Sequence, residues 1–215
     1  MAGRTTFVSR MFVKICGITN EEDALLSVAM GATALGFVFA PSKRQITPGR
    51  AADIVKRLPS GVITVGVFRD HDAKSVARIV REVGLRGAQL HGRETATEVD
   101  TITAEVGWVM KAVVAGSRDA ETCDRYRTDL ILVDSAQPGS GESYDWSIFP
   151  SMPKGVRYVV SGGLTPENVQ DAISLTSPYG VDVSSGVERE PGRKDATKVR
   201  RFVQNAQRAF DALGQ

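Results

Sequence analysis

Cysteine and histidine are scarce, with two of each among 215 residues. Two thiols, Cys16 and Cys123, do not make a disulfide scaffold, and a lone bridge would be unusual in a chain of this size; a reducing, cytoplasmic setting is expected. No His, Asp or Glu cluster has metal-ligand spacing, so no metal is expected. Charge of one sign is lacking too. Twenty-seven Lys and Arg against 25 Asp and Glu leave a formal charge of +2, which speaks against a nucleic-acid surface. No apolar run is long enough to span a bilayer, so no membrane partner is expected. Residues 1–10 contain Arg, Thr and Ser but no apolar h-region of a secretory signal. They read as a disordered lead before Met11, with one domain over residues 11–215.

Hydrophobic residues make up 42% of the chain, ample for one sizeable core and thin for two. Strand-like and helix-like runs alternate from end to end. The strands read Phe12–Cys16, Ala34–Phe39, Ile63–Phe68, Gly87–His91, Trp108–Val114, Leu130–Asp134, Tyr158–Ser161 and Val181–Val183. All are rich in Val, Ile and Leu, as strands covered on both faces should be. Helices are predicted over Glu21–Met30, from Thr47-Pro48 towards Arg57, and over Asp72–Glu82, Thr95–Ala104, Ser117–Tyr126, Glu167–Leu175 and Asp195–Ala212. Thr19-Asn20, Thr47-Pro48 and Thr165-Pro166 supply N-terminal signals. The slot from Asp134 to Tyr158 differs: residues 137–142 are glycine-rich and polar and read as a mobile loop, and only Trp146–Phe149 suits a short helix.

Eight β-α units imply parallel strands with right-handed crossovers closing into a single (β/α)8 TIM barrel of the α/β class. The rival is an open doubly wound sheet, which usually has a glycine-rich phosphate loop after its first strand. Here the glycine signals follow strands seven and eight, in Ser161-Gly-Gly-Leu-Thr165 and Asp182-Val-Ser-Ser-Gly-Val-Glu188. That is where barrels usually hold phosphate. Gly162, Gly163, Ser184, Ser185 and Gly186 form the expected cradle, with a short helix from Ser185 adding its dipole. Taken singly, each segment also reads as an ordinary tight turn.

Alternation sorts the strand residues by side. Lys14 and Cys16 share the inward side of the first strand, and Gln89 and His91 that of the fourth. Lys111, Asp134 and Asp182 are sorted inward as well. A structural barrel interior prefers branched apolar residues, so these groups need partners. Lys14 is expected to pair with Asp182, and Lys111 to lie near Asp134, either as satisfied internal ion pairs or as working groups. Cys16 sits at a strand tip before Gly17. It reads as a small buried hydrophobe, or as a base if a cation such as Lys14 lowers its pKa. Asp134 ends the sixth strand as a candidate acid. His91 lines a pocket or holds a loop. Arg44, on the loop after strand two, is either solvated or clamps a carboxylate with two bonds. Cys123 is assigned no role.

Lys14-Ile-Cys-Gly-Ile-Thr19, Gly36-Phe-Val-Phe39 with Ser42-Lys-Arg44, Gln89-Leu-His-Gly92, Leu132-Val-Asp134, Asp145-Trp146 and the two glycine segments occur in this order from about residue 11 onward. In that order the chain resembles the phosphoribosylanthranilate isomerase family of tryptophan biosynthesis. The resemblance implies a cofactor-free Amadori rearrangement of a small phosphorylated substrate. Asp134 would be the general acid and Cys16 the general base. Arg44 would hold the anthranilate carboxylate, and Gly163, Ser184 and Ser185 the phosphate. Gln89, His91, Gly162, Asp182 and Gly186 complete the expected substrate site, in a monomer or homodimer. The loop Ala40-Pro-Ser-Lys-Arg44 is one residue shorter than in many relatives and lacks their aromatic at position 40. The histidine-pathway isomerase, which uses aspartate in place of Cys16, is the enzymatic rival; a non-catalytic phosphosugar-binding barrel is the other.

Overall fold

Val, Ile and Leu run through the strand segments because each strand is covered on both faces, one by helices and one by the opposite strands. In the computed structural model, which describes residues 11–136 and 144–214, eight parallel strands close into a barrel in chain order. They are β1 (Phe12–Cys16), β2 (Ala34–Val38), β3 (Ile63–Phe68), β4 (Gly87–Leu90), β5 (Val109–Val114), β6 (Leu130–Asp134), β7 (Tyr158–Val160) and β8 (Gly180–Val183). Closure is made by β1 on β8, with Phe12 opposite Gly180 and Lys14 opposite Asp182. The expected lead over residues 1–10 and the expected loop over residues 137–142 lie outside the described residues.

The helices are α1 (Glu21–Ala29), α2 (Pro48–Val55), α3 (Ala73–Val83), α4 (Ala96–Val106), α5 (Arg118–Glu121), α6 (Val169–Thr176) and α7 (Ala196–Ala212). Their starts follow the capping chemistry of the sequence. Asn20, Thr47, Asp72, Thr95 and Asp195 each accept a hydrogen bond from a first-turn amide, and Thr95 with Glu98 closes a reciprocal box. Two expectations fail. Thr165-Pro166 leads only into a turn, and α6 begins at Val169, because Asn168 folds back to accept from the Thr165 amide. The predicted helix over Ser117–Tyr126 breaks into the four residues of α5 and a 3-10 turn over Cys123–Arg125. A hairpin that the sequence reading missed, β9 (Glu188–Glu190) with β10 (Arg193–Lys194), follows β8.

The barrel interior changes character along its axis. Phe12, Ala34, Met110, Leu130, Leu132 and Val159 pack together toward the strand beginnings, each large side chain contributing about 1.5–3 kcal/mol by burial. Two residues further along β1, the lining becomes ionic at Lys14 and Asp182. Hydrocarbon seals one end, and the polar groups collect at the other.

Candidate active site

A cavity of about 370 Å³ opens at the carboxyl ends of the strands. Every sequence-predicted site residue lines it except Gly186, which sits in the 3-10 turn Ser185–Val187 against the Leu164 carbonyl. That turn is three residues long, too short to act as the dipole-bearing helix expected there.

On one side stands Cys16. Lys14, fully buried, donates to Asp182 Oδ1 at 2.9 Å and also faces the Cys16 thiol as a hydrogen-bond partner. Gly36 makes room for both. A methyl group there would meet Cys16 Sγ at 2.7 Å and Lys14 Nζ at 3.0 Å. Burial alone would lower the Lys14 pKa, but Asp182 and Cys16 outweigh it and hold the ammonium above its ordinary value. The thiol behaves otherwise than the sequence suggested. Burial pushes the Cys16 pKa up, and the pull of Lys14 does not reverse it.

Across β8 and β7 from β1 lies Asp134. Its Oδ1 accepts from the Ser135 amide at 2.8 Å, and its Oδ2 is 3.3 Å from His91 Nε2. His91 Nδ1 is in turn 3.0 Å from Gln89 Nε2. With the amide donating, the imidazole proton sits on Nε2, facing the carboxylate. Gln89 Oε1 is buried with no partner among the described residues, so it can receive a ligand donor. His91 therefore lines the pocket and contacts Asp134.

Lys111 is misplaced in the sequence reading. It is fully buried, but it lies behind the wall, not inside the barrel. Its neighbours Met110 and Ala112 belong to the interior cluster, and the register sets Ala112 opposite inward-facing Leu132 and Lys111 opposite Ile131. Lys111 Nζ bonds Glu94 Oε2 at 2.9 Å and the Gly92 carbonyl at 2.8 Å, and it approaches the Tyr126 ring. It has no contact with Asp134, whose partner is His91.

The two segments expected to cradle phosphate lie along one side of the cavity. Gly162 and Gly163 have φ of +80° and +64°, a region that favours glycine, and a side chain at Gly162 would strike the Ser135 amide and Asp134 Oδ1. Asn168 Nδ2 braces the turn by donating to the Gly163 carbonyl at 2.9 Å. Ser184 and Ser185 complete the lining, and Ser184 Oγ donates to the Cys16 carbonyl at 3.1 Å. Val38, Ala40, Val67, Phe68 and Val114 give the cavity an apolar wall near Arg44.

Arg44 does clamp a carboxylate with two bonds, but the carboxylate is the chain's own. Nε and Nη2 each lie 2.8 Å from the Glu188 oxygens. Those bonds raise the Arg44 pKa. Burial would raise that of Glu188, but Arg44 and Lys194 overcome it and lower the value. Lys194 is the neighbour that sequence reasoning overlooked: its buried ammonium donates to Glu188 Oε1 at 2.9 Å and to the Cys16 carbonyl at 2.6 Å. Pro191-Gly192, a turn signal between two short polar runs, was the available clue to the hairpin that places it.

Comparison with known proteins agrees with this geometry. The family model described as N-(5'phosphoribosyl)anthranilate (PRA) isomerase matches residues 13–205. A curated N-(5'-phosphoribosyl)anthranilate isomerase of Thermotoga maritima is 48% identical over 200 residues, covering 90% of this chain and 97% of the relative. The crystal structure of phosphoribosyl anthranilate isomerase from Thermotoga maritima superposes with a TM-score of 0.86 at 45% identity, covering 92% of this chain and 99% of that one. A further structure of such an enzyme, in complex with reduced 1-(o-carboxyphenylamino)-1-deoxyribulose 5-phosphate, has a TM-score of 0.82 at 43% identity, with coverage of 92% and 99%. The chain belongs to the N-(5'-phosphoribosyl)anthranilate isomerase family.

Proposed function

We propose that Cys16 and Asp134 are the base and the acid of an Amadori rearrangement that converts N-(5-phosphoribosyl)anthranilate to 1-(2-carboxyphenylamino)-1-deoxyribulose 5-phosphate in tryptophan biosynthesis. One observation carries the reading: a thiol and a carboxyl from separate strand tips line one cavity beside a glycine–serine cradle. Asp134 gives its proton to the furanose ring oxygen, and the ring opens to a protonated Schiff base. Cys16, as thiolate, takes the proton from C2. The resulting enolamine tautomerises to the ketone. Isomerisation is proton-neutral overall, so both groups return to their starting forms by the end of the cycle.

The molecule bound to the relative carries a carboxyphenyl ring at one end and a 5-phosphate at the other. The cavity has matching ends. Gly162, Gly163, Ser184 and Ser185 take the phosphate, the apolar wall takes the ring, and Arg44, held by Glu188, offers its remaining donors to the carboxylate. Asp182 holds Lys14 against the thiol, and His91 holds Asp134. Two free, buried thiols suit work in a reducing cytoplasm.

The test is a fluorescence assay of phosphoribosylanthranilate consumption, with the histidine-pathway substrate run alongside. Cys16→Ala and Asp134→Asn should each lower kcat by about 10²–10⁴-fold while product analogues still bind. Turnover at the wild-type rate in either variant would overturn that residue's role. Arg44→Ala should chiefly raise KM, and an unchanged KM would remove it from the site.

A further inference from the structure

The β9–β10 hairpin turns back beneath the tips of β1 and β8 and buries Lys194 there, its side chain without solvent exposure. Three acceptors surround Nζ: the Cys16 carbonyl at 2.6 Å, Glu188 Oε1 at 2.9 Å and the Ser184 carbonyl at 3.3 Å. The Lys194 amide is tied as well, donating to Asp23 Oδ2 at 2.9 Å at the start of α1. One ammonium thus spans the strand tip that carries the thiol and the turn that carries the cradle serines.

The charges around Cys16 come from four directions. Lys14 on the same strand pulls hardest on the thiol, and its partner Asp182 on β8 offsets part of that pull. Arg44, from the loop after β2, and Lys194, from β10, share the single carboxylate of Glu188. Lys198 Nζ donates to the Glu188 carbonyl at 2.9 Å and Asp23 accepts from the Lys194 amide, so three cations and two carboxylates leave a surplus of one positive charge in the cluster that touches the Cys16 backbone. Lys194 adds to the pull of Lys14, which Asp182 reduces.

We propose that Lys194 is a positioning residue for the reaction: clamped by Glu188, it pins the Cys16 carbonyl and adds to the positive charge that favours the thiolate. The inference rests on Cys16 being the base. It adds a residue that touches no reacting atom and a carboxylate that sets how much of the cation's charge the thiol feels. Burial lowers the Lys194 pKa, and Glu188 offsets only part of that.

Iodoacetamide alkylation of Cys16, followed by mass spectrometry of the Cys16 peptide across a pH series without substrate, tests this directly. Lys194→Met should move the alkylation midpoint upward by about one pH unit, the lower end of the range for losing a nearby opposite charge. Glu188→Gln keeps both cations and the side-chain shape, and should move the midpoint downward. The rising limb of the kcat/KM profile should move with the midpoint in each variant. An unmoved midpoint in folded Lys194→Met overturns the proposal. If that variant does not fold, an unmoved or raised midpoint in Glu188→Gln does so. Opposite shifts in the two variants, together with normal turnover of Cys16→Ala, would uphold the electrostatic role of Lys194 and reject Cys16 as the base, so the two readings fail separately.

Discussion

Lys14 and Lys111 are both fully buried, and each stands 2.9 Å from a carboxylate. Lys14 lies inside the barrel against the thiol. Lys111 lies on the other face of its strand, between the wall and the loops, where Glu94 and two carbonyls satisfy it. Burial and pairing are the same, and the chemistry available is not. The lesson is that a buried ion pair identifies a working site only when its side of the strand opens on a cavity. Both pairs cost desolvation, and losing one partner strands a charge in either place.

Removing Lys14 should have the largest effect. Lys14→Met leaves Asp182 unpaired and should cost about 3–5 kcal/mol by urea unfolding. Its kcat should also fall by about 10²-fold, the lower end for disturbing a positioned base. Lys14 is held above the ordinary lysine value of 10.5, so its stabilisation is complete at neutral pH and is lost only as pH rises through that raised value.

Lys111→Met is the counterpart. It strands Glu94 and should also cost about 3–5 kcal/mol, while kcat of the folded fraction stays within about two-fold of wild type. A large kcat loss in this variant, with stability little changed, would erase the distinction between the two lysines.

The pH profile sharpens the same contrast. Burial holds the Cys16 thiol above its ordinary range, so with the thiolate as the proposed base kcat/KM should climb as pH rises. The slope should approach about tenfold per unit while the thiol is mostly protonated, and Lys14→Met should displace this limb to higher pH. A flat profile between about pH 6 and 9 would remove thiol ionisation from the rate.

Gly36→Ala should cost about 1–3 kcal/mol, because the added methyl crowds Cys16 Sγ and Lys14 Nζ, and it should depress activity through them. Arg78→Ala marks the floor. Its pair with Glu82 is 63% and 49% exposed and should contribute less than about 0.5 kcal/mol.

Much of this could be read from the residues alone. The strand runs matched the barrel to within a residue or two at their ends, since a strand covered on both faces must be apolar throughout, and a capping side chain marks where every helix but α6 starts. Cys16, Asp134 and the Gly162–Ser185 segments were recognisable because each sits just past an apolar run, at the carboxyl end. Lys111 was misread for the same physical reason that Lys14 was read correctly. Period-two alternation says which residues share a side, but the polar residue was assumed to mark the inside, and in β5 the inward residues are Met110 and Ala112. Glu188 and Lys194 escaped because their function is a long-range convergence: Lys194 reaches a carbonyl 178 positions away in the chain.

The sequence by itself determined the alternation of elements, the closure into eight units and the identity of the groups at the strand tips, because these follow from local periodicity, capping and turn chemistry. Tertiary structure alone decided which face of β5 meets buried polar partners and which carboxylate Arg44 holds. It also decided how far burial raises the thiol and which cations stand round it. Those depend on distances between residues far apart in sequence and on the low dielectric they share, and neither exists until the barrel has closed.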